Sequence, residues 1–193
     1  GLATAHACIL TVIWFCSRCN MKHVLFTKIK FLGLLAVFFC AMSWAHLADA
    51  KVGKATGLPI PRFVSLASDE VNMRHGPGKS FPIAWVYRVE NLPVQVIDEW
   101  VHWRKIRDLD NIEGWVHKSL LRSSRSAIIT NDLADVLDQE SGNTKLVGQI
   151  GRNVVVAIKA CGIQHCLIEK GPVEGWLSKS QFYGAFGEEM FGN

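Results

Sequence analysis

Cysteine and histidine carry most of the nucleophilic and metal-binding capacity of this chain, six of one and seven of the other in 193 residues. Cys16-Ser17-Arg18-Cys19 has C-x-x-C spacing. Neither a second pair nor a βαβ pattern accompanies it, so redox or zinc chemistry is not expected there. Cys161 and Cys166 lie close together. A catalytic thiolate needs an activating base beside it. Two cysteines at this spacing in an exported chain point instead to a local disulfide, with separate buried thiols as the alternative. So short a loop contributes roughly 2 kcal/mol on the chain-entropy estimate. His165 adjoins Cys166, but three candidate ligands do not complete a tetrahedral zinc site. His75, His102 and His117 are scattered, without the H-E-x-x-H spacing of a zinc peptidase. Asp108, Asp110 and Glu113 cluster as a turn would place them. No catalytic residue, metal or cofactor is expected.

Binding chemistry is better represented. After residue 50 the tryptophans are Trp85, Trp100, Trp103, Trp115 and Trp176, and four of the five precede Arg122. An indole offers flat apolar area with one donor, which suits sugar faces and peptide side chains. The competing reading is packing in a core or at a sheet edge. Asn72 and Arg74 stand just before Gly76-Pro77-Gly78, where they either line a groove or sit on a solvated strand face. The candidate ligand-binding set is therefore Asn72, Arg74, Trp85, Trp100, Trp103 and Trp115.

A duplicated element has to position these residues. Residues 113–119 read Glu-Gly-Trp-Val-His-Lys-Ser and residues 174–180 read Glu-Gly-Trp-Leu-Ser-Lys-Ser, five identical positions of seven. The flanks agree. Pro93–Ile97 and Val154–Ile158 both alternate with the period of a half-buried strand. The pattern predicts a repeated module. Strands are expected over Arg62–Leu66, Val71–Arg74, Ile83–Arg88, Val94–Asp98, Trp103–Arg107 and Gly114–His117. Turn residues separate them at Glu90-Asn91, Glu99 and Asp108–Asn111. A tight turn follows at Ser119–Leu121 and a linker at Arg122–Ser126. The second unit repeats this order from Ala127 to Phe186. Short strands, regular turns and no helical period imply an all-β chain of two small barrels. Each is near the lower size limit for an independent core, which favours side-by-side packing.

The first fifty residues read differently. Met21–Lys30 carries Lys22, Lys28 and Lys30, Phe31–Ala45 has no formal charge, and Ala48-Asp49-Ala50 is a small-x-small site. These are the parts of a secretory signal, so residues 21–50 are expected to be a signal peptide cleaved before Lys51. The apolar run is shorter than a comfortable membrane span; an uncleaved anchor is the alternative. Residues 1–20 are read as an upstream extension of the reading frame, or else as a second hydrophobic segment. Removing residues 1–50 takes Arg18, Lys22, Lys28 and Lys30 from the 21 basic residues and Asp49 from the 17 acidic ones, so the net charge falls from +4 to +1. No basic stripe remains to track a nucleic acid. Contact with a membrane is expected only through the signal segment.

Together Arg62–Leu66, Val71-Asn72-Met73-Arg74-His75-Gly76-Pro77-Gly78, Pro82–Val86, Leu92–Ile97, Trp103–Arg107 and Glu113-Gly114-Trp115-Val116 resemble the bacterial SH3-like domain. They are most similar to the exported tandem version of alpha-proteobacteria. The resemblance spans Arg62 to Phe186 and is more specific in the first unit. The family often carries Cys-x-x-x-Trp-Cys in the second unit; here Cys161 and Cys166 match and His165 stands in place of Trp. The resemblance implies five- or six-stranded barrels, placed over 62–124 and 125–187; Lys51–Pro61, with two Gly, two Pro and no apolar periodicity, reads as a linker or flexible N-terminal arm, and 188–193 as a tail. It also implies a periplasmic or secreted location and a non-enzymatic binding role in the cell envelope. Peptidoglycan or an envelope protein is the implied partner. The alternative is an accessory or targeting module of a cell-wall hydrolase.

Overall fold

The computed structural model describes residues 51–192 apart from residue 143. The expected signal peptide and upstream extension lie outside the described residues. The first unit comprises β1 (Arg62–Leu66), β2 (Val71–Arg74), β3 (Ile83–Tyr87), β4 (Pro93–Trp100), β5 (Trp103–Arg107), β6 (Glu113–His117), a 3-10 turn (Lys118–Leu120) and β7 (Leu121–Arg122). The second comprises β8 (Ser126–Ile129), β9 (Leu133–Leu137), β10 (Leu146–Gly151), β11 (Val155–Cys161), β12 (His165–Lys170), β13 (Val173–Ser178), a 3-10 turn (Lys179–Gln181) and β14 (Phe182–Tyr183). The sheet orders are β3-β2-β6-β5-β4-β1-β7 and β10-β9-β13-β12-β11-β8-β14, one topology used twice. The described residues form an all-β structure of two tandem SH3-like barrels, as the repeat predicts.

Alternation explains the cores. Val64 and Leu66, Val71 and Met73, Val94 and Val96, Ile106 and Val116 all point inward and are buried. Because one face of a single sheet supplies all of them, the sheet must roll on itself to enclose that face. The second core repeats the arrangement with Ala127, Ile129, Val136, Val156, Ile158, Ile168 and Leu177. The repeated Glu-Gly-Trp has a steric cause. A Cβ on Gly114 would lie 2.6 Å from Met73 Cγ, and one on Gly175 would lie 2.5 Å from the Leu137 carbonyl oxygen. Glycine is required in both barrels where β6 or β13 meets the strand that closes the sheet.

Three segments differ from the sequence reading. Each barrel's sheet has seven strands rather than five or six, because the chain after the 3-10 turn pairs briefly with the first strand. The expected linker at Arg122–Ser126 is thereby shortened: Arg122 belongs to β7 and Ser126 opens β8. Glu99, read as a turn residue, lies inside β4 opposite Arg104 and is 1 % exposed. The segment 51–61, read as a linker or flexible arm, folds onto this carboxylate. Ala55 N, Thr56 N and Thr56 Oγ1 donate to Glu99 at 3.0, 2.9 and 2.8 Å. Arg62 Nη2 reaches it at 2.7 Å and Arg104 Nε at 3.3 Å. Polarity of sequence does not reveal such an arm, because its ordering comes from one buried partner.

Phe63 and Ser65 alternate with the inward residues of β1, yet Phe63 is 5 % and Ser65 0 % exposed. The second barrel covers them. The Phe63 ring lies 5.0 Å from Tyr183 and 4.7 Å from Phe186, and the Arg125 guanidinium lies 5.7 Å from its centroid. Ser65 Oγ donates to Ser124 O at 2.7 Å or shares a proton with Ser126 Oγ at 2.6 Å. Tyr183 Oη donates to Arg107 O across the same junction. The two barrels are packed side by side.

Burial pushes the Glu99 carboxyl up, but hydrogen bonds from Arg62, Thr56 and Ala55 outweigh it and hold the group at about 2 against an ordinary 4.5. Its folded value lies below its unfolded one, so its contribution is complete above about pH 4.5 and is lost as pH falls toward 2. Urea titrations should show roughly 3 kcal/mol from this group near neutrality, with about 2 kcal/mol of it gone by about pH 3. Glu99→Gln should destabilise the protein at neutral pH and flatten that acid limb; an unchanged limb refutes the assignment. At the junction, Phe63→Ala removes the ring that both barrels share. Calorimetry of the variant should resolve two transitions where the native protein shows one.

Candidate functional site

Residues directly opposite on antiparallel strands share a face. Trp100 pairs with Trp103, and Trp103 with His117. One step along, Asp98 pairs with Lys105, Lys105 with Trp115, and Trp115 with Arg74. A further step pairs Gln95 with Arg107 and Arg107 with Glu113. Their neighbours Arg104, Ile106, Gly114, Val116 and Met73 are buried, so these rows form the outer face of β4-β5-β6-β2. The structure brings together Trp100, Trp103, Trp115 and Arg74 of the predicted set. Asn72 shares the outward side of β2 with Arg74, opposite Val86.

Trp85 is set apart. It pairs with the inward-facing Met73 and shares the side of β3 that carries the buried Tyr87, yet it is 51 % exposed because β3 is the sheet edge. It lines a cleft with Asp108, Leu109 and Ile112 rather than the outer face.

Aromatic surface dominates the outer face. Trp100 is 56 % exposed, and Trp103 meets His117 edge-on with centroids 5.5 Å apart. His117 Nδ1 and Ser119 Oγ are 2.7 Å apart, which fixes the ring at the start of the 3-10 turn. The cations of the face are largely engaged. Lys105 Nζ and Arg107 Nη2 each lie 2.6 Å from a different oxygen of Glu113, and Lys105 first, then Arg107, holds that carboxyl below its usual range. Arg74 Nη1 donates to Phe81 O at 2.7 Å, clasping the loop that Gly76-Pro77-Gly78 begins. The Phe81 ring fills the space beside Gly76, where a Cβ would lie 2.4 Å from it.

Sequence reasoning missed Lys105, Arg107, Glu113 and His117 as members of this face. The signal was present: Trp103, Lys105 and Arg107 recur at period two, as do Glu113, Trp115 and His117.

The second barrel holds different residues at the same register. His165 replaces Trp103, Leu167 replaces Lys105, Glu169 replaces Arg107, and Leu137 replaces Arg74; Trp176 and Glu174 match Trp115 and Glu113. The cross-strand pair Glu99–Arg104 becomes Cys161–Cys166, which are joined as a disulfide. Neither sulfur is a free nucleophile in that state. Among the described residues no group of three or more His, Cys, Asp or Glu side chains is placed to hold a metal ion.

Residues 67–123 match the family model described as bacterial SH3 domain. The structure of NlpC2 from Trichomonas vaginalis aligns with 12 % identity and a TM-score of 0.30, over 64 % of this chain and 48 % of that one. The chain thus spans about half the length of that protein. A search of curated proteins returns no match. The match to the bacterial SH3 domain falls within the first barrel, and the resemblance in its motifs is borne out there.

The Arg74 clasp has a measurable consequence. Arg74→Ala should speed amide exchange at His75 and Phe81, which donate within the loop to Pro82 O and Gly78 O. The loss of global stability should be only about 1 kcal/mol. Unchanged exchange in the loop would show that the guanidinium does not order it.

Proposed function

We propose that this protein, whose first barrel carries the match to the bacterial SH3 domain, is an exported, non-enzymatic binding module of the cell envelope. The ligand is peptidoglycan or an envelope protein, held on the outer face of β4-β5-β6-β2. The observation that carries this reading is the asymmetry between two barrels of one topology. The first presents Trp103, His117 and Trp115 on one face, with Trp100 beside Trp103; the second keeps Trp176 at the register of Trp115 but puts His165 at that of Trp103 and Ser178 at that of His117. A fold that needed those aromatics for packing would retain them in both copies.

The chemistry favours stacking over charge. Two cations share the Glu113 carboxylate and the Arg74 guanidinium is turned to a carbonyl, so little unspent positive charge faces solvent. Flat indoles flanked by polar groups suit the faces of sugar rings and the side chains of peptides. A periplasmic or secreted location follows from the signal-like sequence of residues 21–50, and the disulfide in the second barrel is consistent with an oxidising compartment.

Retention of the purified protein on isolated cell-wall sacculi, and on immobilised envelope extract, tests the proposal. Trp100→Ala and Trp103→Ala should each weaken retention by about thirtyfold, the effect of losing a central aromatic contact worth roughly 2 kcal/mol, with melting temperature preserved. Trp176→Ala should have little effect. Equal loss from Trp176→Ala and Trp103→Ala would overturn the assignment to the first barrel. Release of soluble wall fragments by the protein alone would overturn the non-enzymatic reading.

A further inference from the structure

A cavity of about 280 Å³ lies beside the edge of the first barrel, lined by Trp85 of β3, by Asp108, Leu109, Asp110 and Ile112 after β5, and by Ile128 of the second barrel. None of Arg74, Trp100, Trp103 and Trp115 reaches it. Three independent features of this cleft converge on one kind of occupant.

Its walls are apolar and uncovered. Trp85, Leu109 and Ile112 are exposed, and Ile83, two residues before Trp85, continues the exposed apolar surface along β3. Its backbone is available. Among the described residues β3 is bonded to β2 on one edge and stands last in its sheet, so its other edge carries unpaired N–H and C=O groups there. Such an edge accepts an added strand.

Its charge is uncompensated. The buried Asp108 carboxylate accepts only from neutral donors: Tyr87 Oη at 2.9 Å, Asp110 N at 3.0 Å and Ile112 N at 2.8 Å. Asp110 stands exposed beside it. Nearby cations are engaged elsewhere, Arg107 with Glu113, Arg88 with Glu70 and Arg152 with Asp132. Among the described residues no ion pair involves Asp108 or Asp110. Burial first, then the hydrogen bond to Asp108 and its charge, hold the Tyr87 phenol well above its usual range.

We propose that this cleft binds a basic side chain of an extended peptide, whose backbone adds to the free edge of β3. The aliphatic stem lies on the Trp85 indole between Leu109 and Ile112, and the cationic head meets Asp110 with the Asp108 charge behind it. Trp85 contributes twice, by apolar contact along the stem and by attraction of its ring face for the cation. The fold does not impose these features. At the same register the second barrel has Gly148 in place of Trp85 and Lys170 in place of Asp108. That barrel therefore offers neither the ring nor the charge.

This second surface is independent of the aromatic outer face, and the test separates them. The probes are a fluorescein-labelled, end-blocked Val-Lys-Val-Lys-Val peptide and the same peptide acetylated at both lysine amines. Anisotropy titrations use the full chain at low salt. The lysine peptide should bind, and acetylation should weaken it at least about tenfold, since the charge and its cation–π contact are both lost. Trp85→Ala should cost about tenfold and Asp110→Asn about fivefold. Trp103→Ala should leave the affinity unchanged. Asp110 is exposed, so Asp110→Lys tests the charge without threatening the fold; it should abolish binding of the lysine peptide. Three outcomes each overturn the proposal: no binding of the lysine peptide at about 1 mM, equal affinity of the acetylated peptide, or no effect of Trp85→Ala and Asp110→Asn.

Discussion

One buried carboxylate organises the first barrel. Glu99 sits at the end of the β4–β5 hairpin with a side chain inaccessible to solvent. Burying an isolated carboxylate costs several kcal/mol, so it must be surrounded by donors. Those donors come from three places: the segment 51–61, Arg62 at the start of β1, and Arg104 across the hairpin. The same charge therefore ties an arm, a strand and a hairpin together. Gly53 is part of the arrangement, since a Cβ there would lie 2.3 Å from the Glu99 carboxyl carbon.

The second barrel meets the same structural need with different chemistry. Its hairpin end is closed covalently by Cys161 and Cys166, at the register of Glu99 and Arg104. Its covering segment comes from the other end of the chain. Cys161 N donates to Phe191 O, and Phe191 N donates back to Cys161 O. Arg125 lies over the Phe191 ring at 4.6 Å and is ion-paired with Glu189, so the linker between the barrels also secures this tail. Each barrel is thus sealed at its hairpin by a segment that flanks the barrel pair, one held by a buried charge and the other against a disulfide. The two copies keep one topology under different closures, and their outer residues differ.

That divergence separates scaffold from function. Inward positions of the two barrels remain apolar, because one side of every strand must enclose a core of small volume. Outward positions are under no such constraint. In the first barrel they hold indoles, imidazole and a neutralised cation pair on the sheet face, and a ring with two carboxylates at the open edge. In the second barrel they are aliphatic or acidic on the face and lack the edge features. The second barrel's contribution is to cover Phe63 and Ser65 and to supply one wall of the cleft.

Much of this architecture was legible in sequence. The duplicated Glu-Gly-Trp-x-x-Lys-Ser, the alternating valines and the turn spacing determine two all-β units, and alternation alone places Val116 and Leu177 inside with Trp115 and Trp176 outside. Binary pattern is local, and a strand's period survives whatever surrounds it. What sequence could not carry was anything decided by partners distant along the chain. Glu99 reads as a turn because a lone acidic residue is usually solvated; its burial follows from Arg62, Arg104 and an arm some forty residues upstream. Segment 51–61 reads as a linker because its hydrogen-bond acceptor is not local. Phe63 reads only as one residue of a strand; its partners belong to the other barrel. Trp85 reads as one more member of an aromatic set; only the strand order, which leaves β3 at the edge, moves it to a different surface. Local periodicity specifies which side of a strand a residue takes, whereas the rolling and docking of the sheets decide what that side meets.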